Sequence, residues 1–153
     1  MDIRFHKIDQ RPETLNISYI RSVADERDIE QMILVPGKLR TLFGSPNTMS
    51  MNSETWFEYY IEAGGYYFEV YGVSADTHIG GDTSQESYAL ADQLAELINR
   101  SKASDYLWTS YYMDAEMKEI FEVREGKAIY QTQQLKLSDE EFSELYKKVY
   151  GLT

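Results

Sequence analysis

The glycine pair Gly64-Gly65 restricts the fold of this chain more than any other feature of its sequence. It separates two runs in which polar and apolar residues alternate, Thr55–Ala63 and Tyr66–Val73. Two glycines between such runs are typical of a β-hairpin with a two-residue turn, because both turn positions require a positive φ that glycine adopts without strain. The turn also fixes the register, so the residues that face each other across the hairpin can be predicted.

The predicted hairpin has two faces of different chemistry. The expected pairs on its apolar face are Ala63 with Tyr66, Ile61 with Phe68, and Tyr59 with Val70. The expected pairs on its other face are Glu62 with Tyr67, Tyr60 with Glu69, and Glu58 with Tyr71. The residues of this second face, extended along the strand by one tryptophan, are named the acidic-aromatic face: Trp56, Glu58, Tyr60, Glu62, Tyr67, Glu69 and Tyr71.

The acidic-aromatic face is the predicted partner-binding surface of the protein. Aromatic side chains supply large contact area, and carboxylates attract a basic partner. The sequence leaves open whether this face is exposed or is covered by the C-terminal strands or by a helix. Carboxylates on an open strand face keep ordinary pKa values, which argues against acid–base catalysis by Glu58, Glu62 or Glu69.

The first third of the chain is predicted from weaker patterns. Alternation over residues 14–20 favours a strand. Residues 29–35 fit either a strand or a short helix, and we favour the strand. Residues 36–43 are expected to form a short helix, with Pro36 in its first turn and Gly44 at its end.

A helix is predicted after the hairpin. Residues 74–82 are expected to form a loop, because they contain two adjacent glycines. Residues 83–86 have the form of a capping box. The helix that follows carries one apolar stripe, formed by Leu90, Leu94, Leu97 and Ile98.

A meander and a final helix complete the expected order of elements. The meander strands are residues 105–112, 117–124 and 127–133, and the last two are paired through Phe121 with Tyr130 and Val123 with Ala128. A second capping box at residues 138–141 begins a C-terminal helix. The elements predict a single α+β domain over residues 1–153. Its antiparallel sheet is built from hairpins and a meander, with about three helices packed on one face.

The charge balance limits the classes of partner. The chain contains 15 Lys and Arg against 26 Asp and Glu, which gives a formal net charge of −11. Such a protein repels nucleic acids and anionic membranes, so direct binding to either is not expected. The charge fits attraction to a basic protein or imitation of nucleic acid, and it also fits solubility alone. The 13 tyrosines favour an interface, where tyrosine is a preferred residue.

Residue types that are absent exclude several kinds of chemistry. Without cysteine the chain forms no disulfide and no zinc–thiolate site.

The first residues contain no apolar segment typical of a signal peptide, and no stretch is long and apolar enough to cross a bilayer, so we expect a cytoplasmic protein.

One stretch suggests a metal site. Residues 76–82 include Asp76, His78 and Asp82, which are ligand types that could hold a divalent ion. The other histidine of the chain is His6, far away in sequence, so we expect neither a metal nor a cofactor. The sequence also contains no nucleophile elbow and no phosphate-binding glycine loop, and we therefore expect no enzyme.

The order of elements resembles a known class of proteins. The sequence Leu-Arg-Thr-Leu-Phe-Gly-Ser-Pro at residues 39–46 precedes the aromatic hairpin, a Gly-Gly loop, a helix and a Glu-rich C-terminal helix. In this order the chain resembles small acidic bacterial proteins that include the immunity proteins of polymorphic toxin systems. The resemblance implies a cytoplasmic protein that masks a toxin domain through an acidic surface.

The leading prediction is therefore a non-enzymatic, immunity-type inhibitor that occludes a basic toxin or nuclease through the acidic-aromatic face. One alternative is a DNA mimic of phage or plasmid origin that blocks a defence enzyme. A second alternative is a small metal-dependent hydrolase that uses the loop at residues 76–82. An exposed strand edge would also allow a homodimer.

Overall fold

The computed structural model describes residues 3–15, 18–49, 55–73, 75–111 and 117–136, together with residues 138, 140, 141, 144 and 147. For residues 55, 56, 107–111, 117–121 and 130–136 it describes the backbone alone. The strands are β1 (His6–Lys7), β2 (Ser18–Ser22), β3 (Thr48–Met49), β4 (Thr55–Ala63), β5 (Tyr66–Val73), β6 (Asp76–Gly81), β7 (Tyr106–Tyr111), β8 (Met117–Arg124) and β9 (Lys127–Lys136). The helices are α1 (Ile29–Phe43) and α2 (Gln85–Asn99).

The β4–β5 hairpin lies at the centre of the larger of two sheets. The strand order of this sheet is β1-β4-β5-β6-β2, with β3 also paired to β4, and every pair is antiparallel. Gly64 and Gly65 have φ angles of 57° and 86°, as the two-residue turn requires. All the predicted cross-strand pairs of the hairpin are present, so the turn does set the register.

Helix α1 differs from the elements predicted for its residues. The strand expected over 29–35 is wrong, because the helix begins at Ile29, whereas the helix expected over 36–43 is confirmed as the second half of α1, which ends before Gly44. The side chain of Asp28 caps its start by accepting a backbone hydrogen bond from the first turn. Residues 32–39 are all buried. A helix that is buried on every side has no polar stripe, so its sequence lacks the periodicity that indicates a helix.

The middle of α1 tolerates two residues that usually weaken a helix. Pro36 has no N–H, so the helix lacks one backbone hydrogen bond at that position. A Cβ atom at Gly37 would lie 2.5 Å from the backbone oxygen of Ser104, which shows how closely the chain before β7 approaches the helix. The Gly37 carbonyl accepts hydrogen bonds from the backbone N–H of Ser104 at 3.0 Å and from Thr41 Oγ1 at 3.1 Å. Tertiary contacts therefore support this part of the helix.

The segment expected to be a loop contains a strand. Residues 74–82 include β6, which pairs with β5 on one side and with β2 on the other, so the loop prediction was wrong. Glycine and aspartate are poor strand formers, but pairing along both edges supplies the backbone hydrogen bonds that hold β6 in the sheet. The strand expected over residues 14–20 is β2, found at Ser18–Ser22.

Helix α2 agrees with its sequence pattern. Its cap is Ser84, whose Oγ accepts a hydrogen bond from the backbone N–H of Ser87 at 3.1 Å. Leu90, Leu94 and Ile98 of the predicted stripe are buried. Because one side of α2 meets the core and the other meets water, the 3.6-residue period is visible in its sequence.

The second sheet is the predicted meander, with strand order β7-β8-β9. Its expected pairs of Phe121 with Tyr130 and of Val123 with Ala128 are confirmed. The capping box before the expected C-terminal helix is present. Glu141 N donates to Ser138 Oγ at 3.1 Å, and Ser138 N donates to Glu141 Oε1 at 3.3 Å. Most of the segment that follows lies outside the described residues, which define two bounded helices rather than about three.

The core joins both sheets to the helices. One cluster of buried residues includes both helices, the apolar face of the larger sheet, and Tyr106 and Val123 of the smaller sheet. Helix α1 contacts β6 of the larger sheet and β8 and β9 of the smaller one. The architecture is thus α+β with antiparallel sheets. Within the described ranges, both helices lie on the apolar side of the larger sheet and leave the acidic-aromatic side to other parts of the chain.

No helix among the described residues has both the length and the apolar character needed to span a membrane.

Candidate functional site

The sheet register brings the predicted site residues together on one side of the hairpin, with one exception. The described members of the acidic-aromatic face are Glu58, Tyr60, Glu62, Tyr67, Glu69 and Tyr71. The exception is Trp56, whose side chain lies outside the described residues. The pairing of β4 with β5 also shifts between Thr55 and Phe57, so simple alternation does not assign Trp56 to a face.

The middle of the acidic-aromatic face is a buried hydrogen-bonded cluster. Glu58 Oε2 accepts a hydrogen bond from Tyr60 Oη at 2.9 Å and one from Thr48 Oγ1 of β3 at 3.0 Å. Glu58 lies close enough to Glu69 to act on its pKa. Tyr60 is 7% exposed and Glu69 is 4% exposed, whereas Glu58 is half-buried and Thr48 is exposed. The middle of the face is therefore buried at Tyr60 and Glu69 and opens toward β3.

Burial changes the acid–base chemistry of this cluster. Desolvation, together with the neighbouring Glu58 carboxylate, raises the pKa of Glu69 from 4.5 to about 7, although the charge of Arg11 opposes the shift. Desolvation and the hydrogen bond to Glu58 raise the pKa of Tyr60 to about 12. The expectation that the carboxylates of this face keep ordinary pKa values was therefore wrong for Glu69, because the strand face is not open at that position.

The N-terminal part of the chain lies close to the middle of the face. Strand β1 lies on the outer edge of β4 and β2 on the outer edge of β6, so the chain between them crosses about 19 Å of sheet. The described part of this connection, residues 8–15, is named the crossing segment. Asn47 fixes its start, because Asn47 Nδ2 donates to the Ile8 carbonyl at 2.6 Å and Asn47 Oδ1 accepts from Tyr60 N at 2.9 Å.

Arg11 of the crossing segment lies near the middle of the acidic-aromatic face, because its positive charge acts on both Tyr60 and Glu69. The sequence analysis left open a cover by the C-terminal strands or by a helix. Arg11 instead belongs to an irregular segment, which has no periodic pattern in its sequence.

The end of the face nearest the turn is more open. Glu62 Oε1 accepts a hydrogen bond from Gly65 N at 2.8 Å and so supports the turn. Glu62 Oε2 lies 3.0 Å from His6 Nε2 of β1. Tyr67, the cross-strand partner of Glu62, is 37% exposed. This end offers a phenol ring and a carboxylate to the solvent.

Strands β6 and β2 lie beyond the second edge of β5 and add residues that the sequence analysis did not include in the site. The His78 ring of β6 lies between the rings of Tyr71 and Tyr19, with centroid distances of 5.4 Å and 4.9 Å and edge-to-face geometry. Asp76 Oδ2 accepts hydrogen bonds from His78 Nε2 at 3.0 Å and from Ser22 Oγ at 2.8 Å. Strand β2 pairs with β6, which lies far from it in sequence. The spacing of residues along the chain therefore gave no signal that Tyr19 lies beside His78.

The Glu58–Glu69 pair combines a half-buried carboxyl with a buried one. Glu69 is 4% exposed and its pKa is raised, while Glu58 accepts hydrogen bonds from Tyr60 Oη and Thr48 Oγ1. The pair therefore places a buried acid beside a carboxyl group that already accepts two hydrogen bonds.

The metal hypothesis finds no matching set of ligands. Asp76 and His78 bind each other, and Asp82 Oδ1 accepts a hydrogen bond from Thr83 N at 2.9 Å. Across the part of the chain that the structure describes, no three histidine or carboxylate side chains gather closely enough to hold a metal ion.

No protein-family model matches this chain, and searches of curated proteins and of solved structures give no significant match.

Proposed function

We propose that this protein is a non-enzymatic binding domain of the immunity type, which occludes a basic toxin or nuclease through the acidic-aromatic face. The observation that carries the proposal is the arrangement of the larger sheet. Both described helices lie on its apolar side, while carboxylates and phenols occupy register positions on the other. The formal net charge of −11 would attract a basic partner over a distance.

In this proposal the exposed tyrosines and the carboxylates have different tasks. Tyr67 and Tyr19 are 37% and 53% exposed and would enter pockets of the partner. The carboxylates would occupy positions that the partner reserves for an anionic substrate. The buried members, Tyr60 and Glu69, would form the floor of the contact.

The test compares tyrosines of similar exposure on opposite sides of the protein. The immobilised protein is incubated with lysate of its source organism and washed at low and at high salt, and the captured partner is then produced for affinity measurements. Tyr67→Ala and Tyr19→Ala should each weaken binding by roughly tenfold or more, as expected for interface anchors.

Tyr88→Ala is the matched control, because Tyr88 lies on α2 and is 42% exposed. It should leave the affinity unchanged. Equal losses from Tyr88→Ala and Tyr67→Ala, or no capture in either wash, would contradict the proposed surface. Capture of a DNA-binding defence enzyme in place of a toxin would favour the DNA-mimic alternative.

A further inference from the structure

The cluster in the middle of the acidic-aromatic face is incomplete as a hydrogen-bonded unit. Glu69 Oε2 is buried and has no hydrogen-bond partner among the described residues. A buried polar atom without a partner costs free energy, and such atoms are rare in folded proteins. Glu69 is on β5 at the centre of the larger sheet, so this atom is not a loose end at an edge.

The neighbours of Glu69 explain why the chain does not satisfy this atom. Across β4 its partner is Tyr60, whose hydroxyl already donates to Glu58. Across β6 its partner is Gly80, which has no side chain. The two carboxyl groups therefore present acceptors on a part of the face where the adjacent strands supply no further donor.

The crossing segment brings a cation close but leaves it unbonded. The charge of Arg11 acts on Glu69 and Tyr60, yet Arg11 makes no hydrogen bond or ion pair with any described residue. Arg11 itself is exposed. The site thus has the electrostatic character of a cation site, while none of the described residues supplies the donor that would complete it.

We propose that the Glu58–Glu69 carboxyl pair is a guanidinium-binding subsite of the acidic-aromatic face, filled by an arginine side chain of the partner. This inference rests on the proposed function, since it needs a basic partner. A guanidinium group is planar and presents parallel N–H donors, so one group can bond Glu69 Oε2 and the Glu58 carboxylate together.

Filling the subsite releases a proton. In the free protein Glu69 keeps its proton up to about pH 7. The incoming positive charge stabilises the ionised form of Glu69, so its proton leaves to the solvent as the N–H···O bonds form. The titratable groups that face Glu69 are Glu58 and Tyr60 on β4, Tyr71 on β5 and Arg11 on the crossing segment, while β6 contributes only Gly80 opposite it.

The experiment uses the guanidinium ion itself as the probe. The carboxyl carbons of ¹³C-labelled glutamate are followed by NMR through a pH titration, with guanidinium chloride at a low, non-denaturing concentration or with sodium chloride at equal ionic strength. Guanidinium should lower the midpoint of Glu69 by about one pH unit or more relative to sodium. Glu69→Gln identifies the resonance, and Glu62→Gln, which removes a carboxyl from the turn end of the same face, should keep the shift.

Equal midpoints in guanidinium and sodium would overturn the subsite. An equal shift with methylammonium chloride would also overturn it as a guanidinium site, because a single ammonium group cannot make the parallel bonds. The inference and the proposed function fail separately. If guanidinium does not change the titration midpoint of Glu69 while Tyr67→Ala still weakens binding of the captured partner, the proposed binding face is supported and the guanidinium subsite is contradicted. If guanidinium shifts the titration midpoint of Glu69 but Tyr67→Ala does not change the affinity for the partner, the proposed binding face is contradicted.

Discussion

Two neighbouring cross-strand pairs on the same face of one hairpin behave differently. Glu62 with Tyr67 lies beside the turn, and Tyr60 with Glu69 lies one pair further along the strands. Both consist of one glutamate and one tyrosine. In the first, Tyr67 is 37% exposed, whereas Tyr60 and Glu69 in the second are 7% and 4% exposed.

This difference teaches that alternation along a strand fixes the face of a side chain but not its depth. Depth is set by the chain segments that pack against the strand, and Arg11 of the crossing segment lies near the middle pair. The turn pair remains in water and can meet a partner directly. The middle pair is desolvated, so the pKa of Glu69 rises to about 7.

The largest expected effect comes from truncating the same residue type in the two pairs. Tyr60→Ala should destabilise the protein by about 3–5 kcal/mol, because it leaves a cavity and removes a donor from Glu58. Tyr67→Ala should cost less than about 1 kcal/mol, since the side chain is already solvated. Urea unfolding of both variants measures the contrast. Similar costs for the two variants would show that the middle pair is not buried in solution.

The next effect concerns the pH dependence of stability. Glu69 is protonated in the folded state up to about pH 7 but only up to about 4.5 in the unfolded chain. The folded state therefore binds more protons in this window, and stability should fall by about 3 kcal/mol as the pH rises from 4.5 through 7. Glu69→Gln should remove this loss, and it should make the protein more stable than the wild type above pH 7.

Denaturation midpoints at several pH values give the change of stability with pH for the wild type, for Glu69→Gln and for Glu62→Gln. Glu62→Gln should keep most of the wild-type pH dependence, because Glu62 retains contact with water. A slope that persists in Glu69→Gln would mean that another group is responsible.

A smaller effect isolates the hydroxyl group of the middle tyrosine. Tyr60→Phe keeps the ring but removes the hydrogen bond of 2.9 Å to Glu58. It should cost about 1–2 kcal/mol, as expected for a hydrogen bond to a charged acceptor. Tyr67→Phe is the paired control, and its change should stay within about 0.5 kcal/mol. Thermal unfolding resolves the two, and an equal change in both would place the hydroxyl of Tyr60 in contact with solvent.

The smallest effect tests whether the crossing segment acts on the middle pair. Arg11→Gln removes the positive charge that opposes the pKa shift of Glu69, so the pKa should rise above about 7. The ¹³C titration of Glu69 measures it. Arg27→Gln is the control, because Arg27 pairs with Asp25 away from this cluster. A pKa of Glu69 that is insensitive to Arg11→Gln would remove Arg11 from the face.

Particular elements show where the sequence was sufficient. The two glycines at the hairpin turn and the alternation beside them predicted the pairs of β4 with β5 from Ala63–Tyr66 to Glu58–Tyr71, because turn geometry and a two-residue period act locally. The apolar stripe of α2 was predicted from the sequence in the same direct way. The site residues could be grouped on one face for the same reason, with Trp56 outside the part of the chain that is described.

Other elements were decided by distant contacts. The sequence predicts a strand before the second half of α1 because residues 32–39 are all buried and show no polar stripe, and it predicts a loop at β6 because of its glycines. Both owe their form to neighbours that lie far away in sequence. In α1 the backbone of Gly37 is bonded by Ser104, and β6 is paired on both edges.

The sequence by itself determined the hairpin, its register, the acidic and aromatic character of one face, and the net charge of −11. The tertiary structure alone decided that β2 and β6 extend this face and that Tyr60 and Glu69 in its middle are buried. Local rules fix which side of a strand a residue occupies, because they depend on the residues next to it. Burial and pKa depend on chain segments that meet only in the folded protein, so Glu62 and Glu69 differ although their local patterns are alike.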